Sequence, residues 1–130
     1  FPLLTALENV MYPLELQGMA RKEAKEKAAE YLEEVGISKK LHGQYPKMMS
    51  GGEQQRTAVA RAMASGGRIV LADEPTGNLD TENEEKVVEL LLSLAHDRDF
   101  LVIMVTHNKQ IAEQADVRLV MKDGRMTMEQ

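Results

Sequence analysis

Two carboxylates stand side by side at Asp73 and Glu74, directly after the apolar run Ile69 to Ala72, and Pro75 follows them. At the tip of a buried strand such a pair can divide its labour. A hard cation such as Mg²⁺ takes oxygen ligands and keeps several waters, so one carboxylate can hold it while the other orients an attacking water. A second apolar run, Leu101 to Val105, delivers Thr106 and His107, an imidazole able to donate a hydrogen bond to a phosphate. The third group is Ser50-Gly51-Gly52-Glu53-Gln54-Gln55-Arg56. Paired glycines let a ligand approach the backbone closely, and the free N–H groups at a positive helix end attract an anion. Each group also has a plainer reading. The acids can begin a solvated loop, a single imidazole at a strand end can be structural, and Ser50 with Glu53 can be a helix cap worth ~1 kcal/mol.

What joins the three is the chain that must position them. In open parallel sheets, ligands bind beyond the carboxyl ends of the strands. The two apolar runs lack alternation, as expected of strands buried on both faces. Between them Thr81 and Glu84 have capping-box spacing, and Val87, Val88, Leu91, Leu92, Leu94 and Ala95 supply a helical apolar face. Strand, helix and strand in this order form a βαβ unit with parallel strands and a right-handed crossover, which brings Asp73, Glu74 and His107 to one rim. The fold class is α/β.

The first part of the chain reads as helical. Thr5 to Val10 forms a short segment, Pro13 breaks it, and a longer helix runs from about Arg21 to Val35 with Ala24, Ala28, Tyr31, Leu32 and Val35 on its inner face and Gly36 as a left-handed cap. Ser50 starts another helix whose Ala58, Val59, Ala62 and Met63 form an apolar stripe, ending near Gly66 and Gly67. Near the other end, a helix over about Gln110 to Ala115 precedes a hairpin of Val117 to Met121 and Arg125 to Met128 around Asp123-Gly124.

Composition narrows the function classes. The 130 residues suffice for one core, and 43% hydrophobic with 28% charged residues is globular usage. The net charge of −5 and the lack of a Lys/Arg cluster argue against a nucleic-acid surface; Arg21, Lys22, Lys25 and Lys27 alternate with Glu23 and Glu26, as on a solvated helix face. With no cysteine there are no disulfides or thiolate metal sites, which fits a reducing compartment, by default the cytosol. No apolar stretch approaches the ~18 residues needed to span a bilayer, so a membrane role must run through a partner. The sequence begins at Phe1 rather than Met, which leads us to expect a piece of something longer.

Taken in order, these elements resemble the nucleotide-binding domain of ABC transporters. Met49-Ser50-Gly51-Gly52-Glu53 is similar to the signature motif, Ile69 to Asp73 to the Walker B strand, Glu74 to its catalytic carboxylate, Gly77-Asn78-Leu79-Asp80 to the D-loop, and His107 to the switch histidine. The run Ala72 to Asp80 looks most like the lipoprotein-release and macrolide-export branch. Met49 stands where Leu is usual and Glu53 where Gln is usual.

The resemblance implies a partial P-loop NTPase core with parallel strands over residues 67–130, preceded by an α-helical subdomain with the signature helix over residues 1–66. It implies ATP and Mg²⁺ as cofactors, bound where two such domains close head to tail as a homodimer. Ser50, Gly51 and Gly52 would contact the γ-phosphate across the dimer, Asp73 would hold Mg²⁺ through water, and Glu74 would polarise the hydrolytic water. His107 would touch the γ-phosphate, and Asp80 would couple the two sites. A transmembrane permease would be the other partner, placing the chain in the cytoplasm at the inner face of the cell membrane, with no nucleic acid involved.

No G-x-x-x-x-G-K-[ST] loop occurs in the sequence, and no Gln-loop glutamine is identifiable. The expectation is therefore a C-terminal fragment of an ATPase subunit that powers membrane export, inactive alone. In the family the phosphate-loop strand pairs beside the strand ending at His107, so its removal leaves a sheet edge and predicts pairing with another copy, element swapping or poor solubility. Two rivals are a DNA-repair or chromosome-organising ATPase, which shares the signature helix but carries long coiled-coil insertions, and a non-catalytic interaction module that docks onto intact partners.

Overall fold

Thr5 and Ser50 start their helices by the same device. Each hydroxyl accepts the backbone N–H of the glutamate three places on, Glu8 or Glu53, whose carboxylate accepts the N–H of the cap residue in return. The exchange satisfies two donors that a helix start otherwise leaves orphaned. At Thr5 the backbone N–H, with the hydroxyl adding to it, holds the Glu8 carboxyl below the usual carboxylate range. A carboxyl whose folded pKa is depressed contributes stability at higher pH that is lost as pH falls through its folded value.

The computed structural model describes residues 1–129; Gln130, the last residue of the expected core segment, lies outside them. Helix α1 spans Ala6–Leu16, α2 Arg21–Glu34 and α3 Gly51–Ala64, with short 3₁₀ turns at Lys39–Leu41 and Pro46–Met48 between the last two. Pro13 lies inside α1 instead of ending it. Proline removes a single donor, the helix continues only to Leu16, and burial of Val10, Met11 and Leu14 offsets the missing bond. Gly18, at φ 94°, then turns the chain toward α2.

Along α2, Ala24, Ala28 and Leu32 are fully buried. The helix closes as expected on Gly36 at φ 82°: the Gly36 N–H donates to Glu33 O and the Ile37 N–H to Leu32 O. Arg56 of α3 then donates from Nη1 to Gly36 O at 3.1 Å. A Cβ on Gly36 would lie 2.8 Å from that nitrogen. Gly36→Ala is expected to destabilise the chain by about 1–2 kcal/mol, since both the left-handed backbone and the Arg56 contact oppose a side chain. Urea unfolding checks this, and an unchanged midpoint would show that the cap does not need glycine.

On α3 the buried residues are Gly52, Thr57, Val59, Ala60, Met63 and Ala64, whereas Ala58 is exposed and Ala62 half-buried. The expected stripe is shifted because alanines at positions 58, 60 and 62 give a periodic pattern little to choose between.

Strand β1, Ile69–Asp73, and strand β2, Leu101–Val105, flank α4, Thr81–Asp97, and pair in parallel with Ile69 opposite Leu101 and Asp73 opposite Val105. The βαβ unit is thus as expected, but its burial is not. Val70, Ala72, Val102 and Met104 pack on the helical side, whereas Ile69, Leu71, Leu101, Ile103 and Val105 are 47–75% exposed. The helices cover one face, and among the described residues nothing covers the other. The cap of α4 is Asp80 rather than Thr81: Asp80 Oδ1 accepts the Asn83 N–H at 2.8 Å, while the Glu84 carboxylate turns to Asn108 instead of back to a cap.

Helix α5, Lys109–Ala112, starts earlier than expected because Asn108 Oδ1 accepts the N–H groups of Gln110 and Ile111. Strands β3, Arg118–Lys122, and β4, Arg125–Glu129, form the antiparallel hairpin, with Asp123 at φ 51° and Gly124 at φ 76° supplying the positive angles of a tight turn. Apart from this hairpin, one buried cluster runs from Ala6 to Phe100 and ties the three leading helices to β1 and α4.

Candidate functional site

Because β1 and β2 are parallel and in register, their carboxyl ends stop together, and Asp73, Glu74, Thr106 and His107 share one rim. The Glu74 N–H donates to Val105 O at 2.8 Å, extending the ladder by one bond. There the backbone turns sharply: Glu74 sits at φ 47°, a left-handed conformation that costs a residue with a side chain about 1–2 kcal/mol. The turn aims its carboxylate across the rim, where Oε1 accepts the His107 backbone N–H at 2.9 Å. His107 Nε2 lies 3.7 Å from the same oxygen, on a side chain that is 97% exposed. Asp73 is exposed beside them. Pro75 and Thr76 are buried and anchor the loop, the Gly77 N–H returns to Glu74 O at 3.1 Å, and the loop ends where Asp80 caps α4.

The Ser50 helix start meets the same segment. Met49 is buried, Ser50 is exposed, and Glu53 is engaged in the cap. The Gly51 and Gly52 N–H groups have no hydrogen-bond partner among the described residues. The missing side chains of these glycines face this chain itself. A Cβ on Gly51 would sit 3.1 Å from Leu79, and one on Gly52 would collide with the Asn83 amide oxygen and come within 3.0 Å of Asn83 Cβ. Asn83 Nδ2 in turn donates to Asp80 Oδ1 at 2.9 Å. On the other strand tip, Asn108 Nδ2 donates to Glu84 Oε1 at 3.3 Å.

Both candidate faces therefore abut the stretch from Gly77 to Glu84, although among the described residues no hydrogen bond or ion pair joins Ser50, Gly51 or Gly52 to Asp73, Glu74 or His107. Sequence reasoning gave Asn83 and Asn108 no role, Leu79 none beyond its place in the Gly77 to Asp80 motif, and Glu84 only that of a cap partner for Thr81. Two of them carried a readable signal: an Asp three residues before Asn83 at a helix start, and an Asn directly before a short helix, both Asx-cap patterns. A groove of about 470 Å³ between α1 and α3, with Met49, Thr57 and Arg61 in its wall, lies apart from the strand tips.

A family model described as ABC transporter matches residues 1–77, more than half of the chain. The chain belongs to the ABC transporter family. It is 49% identical over 125 residues to the lipoprotein-releasing system ATP-binding protein LolD of Legionella pneumophila (strain Paris), covering 96% of this chain and 55% of that protein. It is 45% identical to an uncharacterized ABC transporter ATP-binding protein of Thermotoga maritima, covering 96% of this chain and 53% of that one. Among solved structures, the dimeric post-hydrolysis state of the ATP-binding cassette MJ0796 bound to ADP and Pi superposes with a TM-score of 0.84 at 37% identity, covering 98% of this chain and 58% of that one. The fold is that of an ABC ATPase cassette, a P-loop NTPase, and the likeness to the lipoprotein-release branch seen in the sequence agrees with the identity to LolD. The chain spans about half the length of the curated relatives it matches.

For Mg²⁺, the ion that the sequence resemblance implies, the rim sets a condition. Among the described residues no three His, Asp or Glu side chains come together as a metal cage. Asp73 and Glu74 offer two carboxylates, one already accepting the His107 N–H. Such a set fits Mg²⁺ when waters and nucleotide phosphates complete its octahedron, and not as a protein-only site. Among the described residues no helix is long and apolar enough to cross a membrane.

Proposed function

We propose that this chain forms the signature-helix and strand-tip part of an ATP-hydrolysing ABC transporter subunit. The observation that supports this most directly is the Glu74 carboxylate, fixed by the His107 backbone N–H at the joint tip of two parallel strands, with its other oxygen free of hydrogen-bond partners among the described residues. In that position Glu74 accepts a proton from the water attacking the γ-phosphorus, and His107, on an exposed side chain, donates to a γ-phosphate oxygen. Asp73 would hold Mg²⁺, which when bound would neutralise charge on the nucleotide phosphates. Ser50 and the unpaired N–H groups of Gly51 and Gly52 bind the γ-phosphate of a nucleotide held by a second cassette, with Met49 and Glu53 shaping that helix start and Asp80 at the junction of the two faces.

Residues 1–66 act as the helical subdomain that meets a transmembrane permease, and residues 67–130 as part of the ATPase core, at the cytoplasmic face of the membrane. Dimerisation is supported by the likeness to the dimeric MJ0796 cassette. Hydrolysis also needs a phosphate-binding loop, which these 130 residues do not contain. The test therefore replaces the matching region of the Legionella LolD relative with this chain. Mg²⁺-dependent ATP hydrolysis by the chimera is expected; a folded chimera that binds ATP without turning it over would overturn the reading.

A further inference from the structure

We propose that Asn83 is a positioning residue of the nucleotide site, setting the Ser50 helix start against α4, and that Gly52 lacks a side chain because Asn83 occupies its space. The inference rests on the functional reading above.

Three observations carry it. Gly52 is buried, and a side chain there would meet atoms of this chain itself. The space on that face is filled by Asn83, through both its amide group and its Cβ. Asn83 is itself fixed twice by Asp80 Oδ1, through its backbone N–H at 2.8 Å and its Nδ2 at 2.9 Å. The amide therefore cannot swing aside without giving up a bond to the residue that caps α4. The stretch that ends at Asp80 begins at Glu74, so the phosphate-facing helix start and the carboxylate of the strand tip are referred to one another through a single side chain. A residue at Gly52 would push α3 off α4 even if the phosphate side were left untouched.

Two explanations of Gly52 make opposite predictions. If its role is to let a phosphate approach, a Cβ at Gly52 is harmful whatever stands at position 83. If its role is to accept Asn83, shortening Asn83 makes room.

In the LolD chimera, Gly52→Ala is expected to lower kcat roughly tenfold with KM for ATP little changed, and the Gly52→Ala, Asn83→Ala pair to recover most of that loss. Asn83→Ala alone lowers kcat a fewfold, as expected of a residue that acts through another. In parallel, thermal unfolding of the 130-residue chain carrying the same three variants should show non-additive shifts in midpoint, a readout that needs no nucleotide. Additive midpoint shifts overturn the proposal, and so does coupling in unfolding without rescue of kcat. A chimera that hydrolyses no ATP before any substitution defeats the functional reading instead, and the unfolding cycle still decides whether Asn83 sets the helix start.

Discussion

Glu74→Gln in the LolD chimera should lower ATP turnover by a factor on the order of 10²–10⁴, the range that a positioned general base contributes, while ATP affinity changes little. Glutamine is the informative replacement because its amide oxygen can still accept the His107 N–H, which Glu74 accepts at 2.9 Å. The rim then keeps its geometry and loses only the charge and the basicity. Phosphate release and equilibrium dialysis with ATP measure the two quantities separately. Turnover within tenfold of the parent would remove Glu74 from the chemistry and leave it as a loop-setting residue. A joint loss of turnover and binding would mean that the carboxylate chiefly holds the loop from Pro75 to Asp80 in place.

The second large effect concerns association. Leu71 and Ile103 face each other across the strand pair and are 75% and 47% exposed, with Ile69, Leu101 and Val105 around them. A contiguous apolar face of this kind, bounded by two strands that each have an unpaired edge, is a strong association hazard. The 130-residue chain is therefore expected to form dimers or larger species at micromolar concentration, and the double substitution Leu71→Lys, Ile103→Glu to shift it to monomer without unfolding it, since neither side chain contributes to the buried cluster. Sedimentation velocity across a concentration series checks both halves. A wild-type chain that stays monomeric throughout would show that this face is tolerated in water.

How far the sequence revealed this depended on the kind of signal. The βαβ unit was legible because two apolar runs, of four and five residues, flanked a strongly periodic helix, and the shared rim then followed from topology alone. Gly36 was legible because a left-handed cap has few alternatives. Strand burial was misjudged because an unbroken apolar run reports what a strand is suited to, whereas exposure depends on which neighbours are present. Pro13 was misjudged because the local cost of proline was weighed without the burial of Val10, Met11 and Leu14 around it. The contact of Asn83 with Gly52 was beyond pattern reading, since it joins residues that are 31 positions apart (83 − 52) and depends on how α3 lies on α4.

The left-handed backbone at Glu74 has an evolutionary consequence. Glycine or asparagine would rest more easily at that φ than glutamate does. Selection for durability of the backbone alone would thus pull the position away from its acid, and under the proposed role a continuing demand for turnover would hold it there. In lineages where that demand lapses, this is where the first silent, sturdier descendants should arise.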